Sequence, residues 1–350
     1  MERDARQGAR AHLLRRWFDL ITLQTEELGV LLAREEGKPL AEAKAEIIYA
    51  ASFVEWFCRG SAARLWRNHP AVGHEILILK QPIGVTTAIT PWNFPSAMIT
   101  RKIAPALAAG CTSVVKPAEE TPMSALALGA GGGIPDGVIN ILPSTRAHEI
   151  GLVLTTHPLV RKVSFTGSTA VGRTIMRQSS GTIKKLSLEL GGNAPFIVFD
   201  DADLNAAVTG AIASKFRNSG QTCVCANCFY VQAGIYDSFA EKFAKAAIAL
   251  KIGPPFEPGV EQGPLITSKA LAKVESLSAT HWPKAALAGA ARHPLGGTFY
   301  EPTVLVDVPE DARLLREEIF GPVAISTTEA PFGGVKQSGI GREGSHYGIE

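Results

Sequence analysis

A thiol placed just behind a small polar turn is the most reactive arrangement in this chain. In Phe216-Arg217-Asn218-Ser219-Gly220-Gln221-Thr222-Cys223, Cys223 follows a glycine-containing turn and has a cationic side chain six positions upstream. The thiolate is the nucleophilic form, and about a few per cent of an ordinary thiol is ionised at neutral pH, so nearby positive charge matters. Cys223 is therefore a candidate nucleophile. It reads equally well as one of three thiols, with Cys225 and Cys228, that pack as small hydrophobes. Glu189 sits in Leu188-Glu189-Leu190-Gly191-Gly192, one carboxylate between leucines ahead of a glycine pair. That setting suits a general base, and the alternative is a charge on an edge strand. Asn93 lies in Pro91-Trp92-Asn93-Phe94-Pro95, where prolines fix the backbone on both sides. A rigid amide is a candidate oxyanion donor, and removing one such donor costs about 2.7–4 kcal/mol of transition-state stabilisation.

Two further segments suit a nucleotide. Lys116-Pro117-Ala118-Glu119 follows a short apolar run, where a lysine and a glutamate could grip ribose hydroxyls or simply form a solvated loop. Gly167-Ser168-Thr169-Ala170-Val171-Gly172-Arg173-Thr174 nearly matches a phosphate loop but carries Arg173 where that loop requires lysine. A nucleoside triphosphatase fits poorly. Glycines at a helix start can still accept a phosphate, and the plain alternative is a strand-to-helix turn. Cys223-x-Cys225-x-x-Cys228 lacks the paired knuckles of a structural zinc site, so no metal is expected.

The elements that must position these residues read as an α/β chain. The first seventy residues have helical spacing, interrupted at Gly37-Lys38-Pro39. Strands are expected at 85–90, 113–115, 138–142 and 160–165, with helices at 96–109, from 123, and at 170–178. This alternation predicts a doubly wound parallel sheet. A second α/β part begins at Pro195, with a strand at 196–199, helices at 204–216 and 236–250, and loops at 253–264 and 294–302.

A chain of 350 residues can hold two domains, and 46% hydrophobic with 19% charged residues is an ordinary globular balance. Net charge is +2 from 35 basic and 33 acidic residues, too even for a nucleic-acid or anionic-membrane partner. Five cysteines, an odd number with three clustered, point to a reducing compartment, and a cytoplasmic location is expected. No apolar run is long enough to span a bilayer, and the charged start is unlike a secretory signal.

Taken in order, Pro91–Pro95, Lys116–Glu119, Phe165-Thr166-Gly167-Ser168, Glu189–Gly192, Gly220–Cys223, Glu318-Ile319-Phe320-Gly321-Pro322 and Pro331-Phe332-Gly333-Gly334 resemble the motif series of the NAD(P)-dependent aldehyde dehydrogenase superfamily. The resemblance runs from about Arg10 to the end. It narrows to the succinate-semialdehyde dehydrogenases through Phe94–Lys102, Ser214–Asn218 and Gly341–Ser345. It implies an aldehyde dehydrogenase-like fold: N-terminal helices and a cofactor domain over 1–187, a catalytic domain over 188–324, and 325–350 packing back on the first. It also implies Cys223 as the nucleophile, Asn93 with the Cys223 N–H at the oxyanion, and Glu189 as the base that activates water on a thioester. Lys116 and Glu119 would hold the adenosine ribose and Glu318 the nicotinamide ribose, with Trp92, Gly167, Ser168 and Phe320 lining the cofactor path. Arg101, Arg217 and Ser326 match the positions that hold a substrate carboxylate. A carboxylate at Glu119 repels a 2′-phosphate, which favours NAD over NADP.

The implied reaction is oxidation of succinate semialdehyde to succinate, a step of 4-aminobutyrate degradation. Glutarate semialdehyde is the rival substrate, and a catalytically impaired relative that binds nucleotide or a partner is the rival function. Cys225 suits the subgroup and could pair reversibly with Cys223 under oxidation, in a strained small ring. The chain departs from the family where Ala324 runs straight into Ile325, a place where members carry several tens of residues. Members pair subunits through a C-terminal strand lying beyond the motifs present here, so a weakened homo-oligomer is expected.

Overall fold

β-branched runs too short to bury themselves alternate with helices from Val85 to Glu189, and in the computed structural model they supply five strands of one six-stranded sheet. The structure describes residues 2–60, 66–71, 74–79, 81–129, 133–224, 226–278, 286–306, 313–315, 317–321 and 336–340. The chain divides into two units: Met1–Leu28, Lys44–Leu190 and Thr328–Glu350 form the first, Gly29–Ala43 and Gly191–Thr327 the second.

Three helices open the chain: α1 (Glu2–Leu23), α2 (Thr25–Glu36) and α3 (Leu40–Gly60). The break between α2 and α3 is at Gly37, whose φ of 91° only glycine adopts at little cost. Helix does not continue to residue 70 as the spacing predicts. Trp66–Ala71 is strand β1, paired antiparallel with β2 (His74–Leu79). Pro70 cannot donate in a helix interior, and Asn68 and His69 are poor helix formers, so local propensity there favours a hairpin.

The main sheet follows, built from β3 (Val85–Ile89), α4 (Pro95–Ala108), β4 (Thr112–Lys116), α5 (Pro122–Gly129), β5 (Ile139–Ile141), α6 (Ala147–Thr156), β6 (Val160–Thr166), α7 (Thr169–Ser179) and β7 (Lys185–Glu189). Its spatial order is β5-β4-β3-β6-β7, all parallel, with a late strand, β12 (Gly339–Ile340), antiparallel beside β7. The chain winds outward from β3 through β4 to β5, then returns to β6 on the other side of β3. Such a reversal opens a crevice at the carboxyl ends of β3 and β6, where doubly wound sheets bind ligands. Within the sheet the Thr86 and Ser113 hydroxyls hydrogen-bond across β3 and β4 at 2.7 Å. Val160, Val163, Phe165, Ile175 and Leu188 make the core under α7. Gly172 lets α7 lie close, since a Cβ there would press into the Leu190 side chain.

The second unit is built on a parallel pair, β8 (Ala194–Val198) and β9 (Ala226–Val231), with α8 (Leu204–Phe216) and α9 (Tyr236–Ile248) against it. Helix α10 (Ser268–Ser278) and the short antiparallel pair β10 (Ala286–Ala288) and β11 (Val304–Leu305) follow in this unit. Its core is aromatic: Phe229 lies 4.9 Å from Phe243 and 5.3 Å from Phe196, and Phe239 lies 5.6 Å from Phe243, centroid to centroid. Each such pair contributes about 0.5–1.5 kcal/mol beyond area burial.

Candidate active site

In the first unit, the sheet register gathers the predicted site residues at one edge. Ile89 pairs with both Lys116 and Phe165, and Thr166 pairs with Glu189. The segments leaving these strands are therefore neighbours: 90–93 from β3, 116–119 from β4, 166–168 from β6 and Glu189 from β7. The Thr90 N–H donates to the Lys116 carbonyl at 3.2 Å, and the Gly167 N–H to the Glu189 carbonyl at 3.0 Å. Asn93 and Glu189 are 2% and 4% exposed, while Glu119 and Ser168 face solvent. Ser168 caps α7, its hydroxyl accepting from the Val171 N–H at 3.4 Å. The segment thus has the strand, turn and capped helix of a nucleotide-binding turn, without the lysine of a triphosphatase.

Lys116 is buried, donates from Nζ to the Pro117 carbonyl at 2.8 Å, and has its pKa lowered by that burial against the pull of Glu119 and Glu120. Two hydroxyls at this end of the sheet, Thr90 after β3 and Thr121 before α5, are buried without a hydrogen-bond partner among the described residues. A buried hydroxyl left unpaired is costly, and a polar ligand in the crevice offers the missing partners. Any side chain at Gly167 would meet the Phe165 ring, so the turn also keeps its backbone accessible. These features fit a dinucleotide. Arg101, in α4, is 1% exposed, donates from Nη2 to the Met98 sulfur at 2.9 Å, and lies 5.8 Å from the Phe53 ring centroid.

In the second unit, α8 leads into the turn that carries the thiol. Asn218, Ser219 and Gly220 all have left-handed φ, at 52°, 48° and 72°. Two of the three carry side chains that disfavour this region, so the turn holds strain that its surroundings must outweigh. They do so by hydrogen bonds: the Asn218 N–H donates to the Glu42 carboxylate at 2.8 Å, the Ser219 hydroxyl to the Gly263 carbonyl at 2.9 Å. Gln221, 1% exposed, accepts from the Ile266 N–H at 2.9 Å and donates to the Asn218 carbonyl at 3.3 Å. Thr222 is buried as well, and Cys223 is partly exposed at the end of this pinned segment. Arg217 is also partly exposed.

Glu318 lies against the Gly191-Gly192 pair. Its carboxylate accepts from the Gly192 N–H at 3.4 Å, and a Cβ at Gly191 would run into it. Burial raises its pKa above the usual carboxylate value, opposed by the Gly192 N–H and by Lys273. Phe320, two residues on, is held at a φ of 57°. A cavity of about 540 Å³ in this unit is lined by Phe239, Phe243, Leu277 and Tyr300 and reaches Ser219, but neither Cys223 nor Glu318 lines it. Cys225 and Ser326 lie outside the described residues. Among the described residues no group of three His, Cys, Asp or Glu side chains could hold a metal ion.

Sequence reasoning missed Lys102 and the anchoring role of Gln221. Lys102 is 7% exposed and donates from Nζ to the Thr166 hydroxyl at 2.8 Å, tying α4 to the end of β6. The signal was a second cation inside the otherwise apolar Met98–Leu107 stretch.

A profile of the Aldehyde dehydrogenase family matches residues 3–328. A glutarate-semialdehyde dehydrogenase of Pseudomonas aeruginosa is 51% identical over 402 residues, covering 97% of this chain and 83% of that protein. An NADP(+) succinate-semialdehyde dehydrogenase of Escherichia coli is 50% identical over the same length, with the same coverage. The crystal structure of a succinate-semialdehyde dehydrogenase from Burkholderia pseudomallei superposes with a TM-score of 0.95 at 49% identity, covering 98% of this chain and 83% of that one.

Proposed function

Because the chain belongs to the aldehyde dehydrogenase family and is an NAD(P)-dependent oxidoreductase of aldehydes, we propose that it oxidises succinate semialdehyde to succinate with NAD, through a thioester on Cys223. The pinned left-handed turn ahead of Cys223 carries this reading, because strain of that kind persists where a nucleophile must be held. In this reading the first unit is the cofactor domain and the second presents the thiol.

The Cys223 thiolate forms a bond to the aldehyde carbon, and the carbonyl electrons move to oxygen. The Asn93 amide and the Cys223 backbone N–H donate to that oxyanion. As the carbon–oxygen double bond re-forms, hydride leaves the same carbon and Cys223 is left as a thioester; a bound nicotinamide would supply the hydride acceptor. Glu189 then takes a proton from water as the water oxygen adds to the thioester carbon. The carbon–sulfur bond breaks, releasing the acid and the thiolate. Lys116 and Glu119 would hold the adenosine ribose and Glu318 the nicotinamide ribose, with Trp92, Gly167, Ser168 and Phe320 along the cofactor.

Arg101, Arg217 and Ser326 hold the distal carboxylate of the substrate. A charge-assisted hydrogen bond contributes about 1.5–3 kcal/mol, which an aldehyde lacking the tail forfeits. Glutarate semialdehyde is the second substrate, supported by the 51% identical relative named for it. One methylene separates the two, a difference of about 1–3 kcal/mol at most.

Purified protein should form NADH from NAD and succinate semialdehyde, and Cys223→Ala should abolish this while keeping a cooperative melt. Equal traces from parent and variant, with both folded, would leave a nucleotide-binding relative without turnover. Preference between the cofactors follows Glu119, whose solvent-facing carboxylate disfavours a 2′-phosphate. Glu119→Gln should narrow the ratio of kcat/KM for NAD over NADP by about tenfold, the effect of ~1.4 kcal/mol.

A further inference from the structure

Helix α4 begins where the Asn93 loop ends, and it has no cap of its own. Its N-cap residue is Phe94, which makes no side-chain cap hydrogen bond, and Pro95 follows at the first helical position. The next two amides need acceptors, as the first turn of any helix does. Both find one in Glu46, on α3: its Oε1 accepts from the Ser96 N–H at 2.9 Å and the Ala97 N–H at 3.3 Å. These are the two amides an N-cap side chain ordinarily serves, here served from fifty residues away. A carboxylate suits the positive end of the helix dipole, and Glu46 is 1% exposed, which makes both bonds strong.

The rest of the α3 stripe fixes the angle of the same joint. Ala50 and Phe53, with Tyr49 against them, pack on Phe94, Ala97 and Met98. One turn past Ala97, the Arg101 guanidinium sits over the Phe53 ring. The stripe 46, 49, 50, 53 thus holds α4 from its first amide to Arg101.

We propose that Glu46 is a positioning residue for aldehyde oxidation: by capping α4 from α3 it fixes the Asn93 amide and the Arg101 guanidinium in register with each other. It touches neither substrate nor cofactor. The assignment rests on the reading of Asn93 as oxyanion donor and Arg101 as tail anchor, and adds the residue that aligns them.

The test compares Glu46→Ala, Glu46→Gln and Glu46→Asp in the full chain. Displacement of a reacting group by about 1 Å costs on the order of a hundredfold. Glu46→Ala should therefore lower kcat/KM for the semialdehyde by about 10–100-fold, with the KM for NAD changed by less than about twofold. Glu46→Gln keeps an acceptor oxygen at the same reach and should recover most of that loss. Glu46→Asp withdraws the oxygen by one methylene and should fall between them. Amide exchange followed by mass spectrometry should quicken in peptides covering 92–98 of Glu46→Ala, be restored in Glu46→Gln, and stay unchanged at 185–189.

Parental kinetics in Glu46→Ala would overturn the proposal. So would a loss shared equally between aldehyde and NAD with exchange raised throughout the first unit, the mark of a general packing role. Should Glu46→Ala not fold, Glu46→Asp decides, and parental kinetics there overturn the proposal. A parent without turnover would count against the proposed function instead. Exchange at 92–98 then decides alone, unchanged exchange overturning the assignment and a local, Gln-reversed increase supporting it.

Discussion

Glu318 shows how one carboxylate can be useful in a site and costly to the fold. Burial favours its neutral form, so its pKa in the folded protein lies above that in the unfolded chain. The stability this group gives is full below the unfolded pKa and is lost as pH rises through the folded one. Glu318→Gln cannot ionise and keeps an oxygen for the Gly192 N–H. It should melt with the parent below the carboxylate range and above it at neutrality, by a few degrees at most, since ~1 kcal/mol moves a large domain by about 2–4 °C. Thermal melts at the two pH values check this, and a higher parental midpoint at neutrality would contradict it. Gly220 is the other residue-scale case. At a φ of 72° it avoids the left-handed cost, about 1–2 kcal/mol for an L side chain, so Gly220→Ala should lose that much in denaturant melts and slow turnover. The turn itself was legible from Gly220 in the sequence. That Asn218 and Ser219 share its left-handed conformation was not, because the cause lies in Glu42 and Gly263, far away in the chain.

At the scale of elements, periodicity locates some strands and helices of each unit and misses others. Strands β3, β4 and β6 and helices α4, α8 and α9 fall where the pattern puts them. Helices α6 and α10 and strands β7 and β9 have no such signal in the sequence. β7 has Lys185 and Glu189 at its ends, which break the apolar run expected of a buried parallel strand. The helical reading of the first seventy residues fails at β1, since six residues with a proline and a histidine carry little periodicity of either kind. Capping gives a sharper test. Asp203 caps α8 by accepting from the Asn205 and Ala206 amides at 2.9 and 3.0 Å, and α8 runs directly into the Cys223 turn. Asp203→Ala should cost about 0.5–2 kcal/mol in denaturant melts, and Asp203→Asn should restore most of it.

For the whole molecule, the family was legible because seven short motifs sit in order, five of them at strand ends or turns among the described residues. The substrate was less legible, because tail length depends on pocket walls rather than on motifs. The alignment with the glutarate-semialdehyde dehydrogenase spans 402 positions against the 350 residues here, so that relative carries at least about fifty without a counterpart. Among the described residues no helix is long and apolar enough to cross a membrane. Cofactor binding should raise the stability of the intact chain, by about 2.7 kcal/mol at a hundred times its Kd. A thermal shift with NAD, set beside one with NADP, measures both that gain and the preference between them. Gly191 and Glu318, 127 positions apart in numbering, meet so closely that a single methyl displaces the carboxylate. In genetic terms the two positions form one character. Deep mutational scanning should find Gly191→Ala less harmful beside Glu318→Asp than its effect alone predicts.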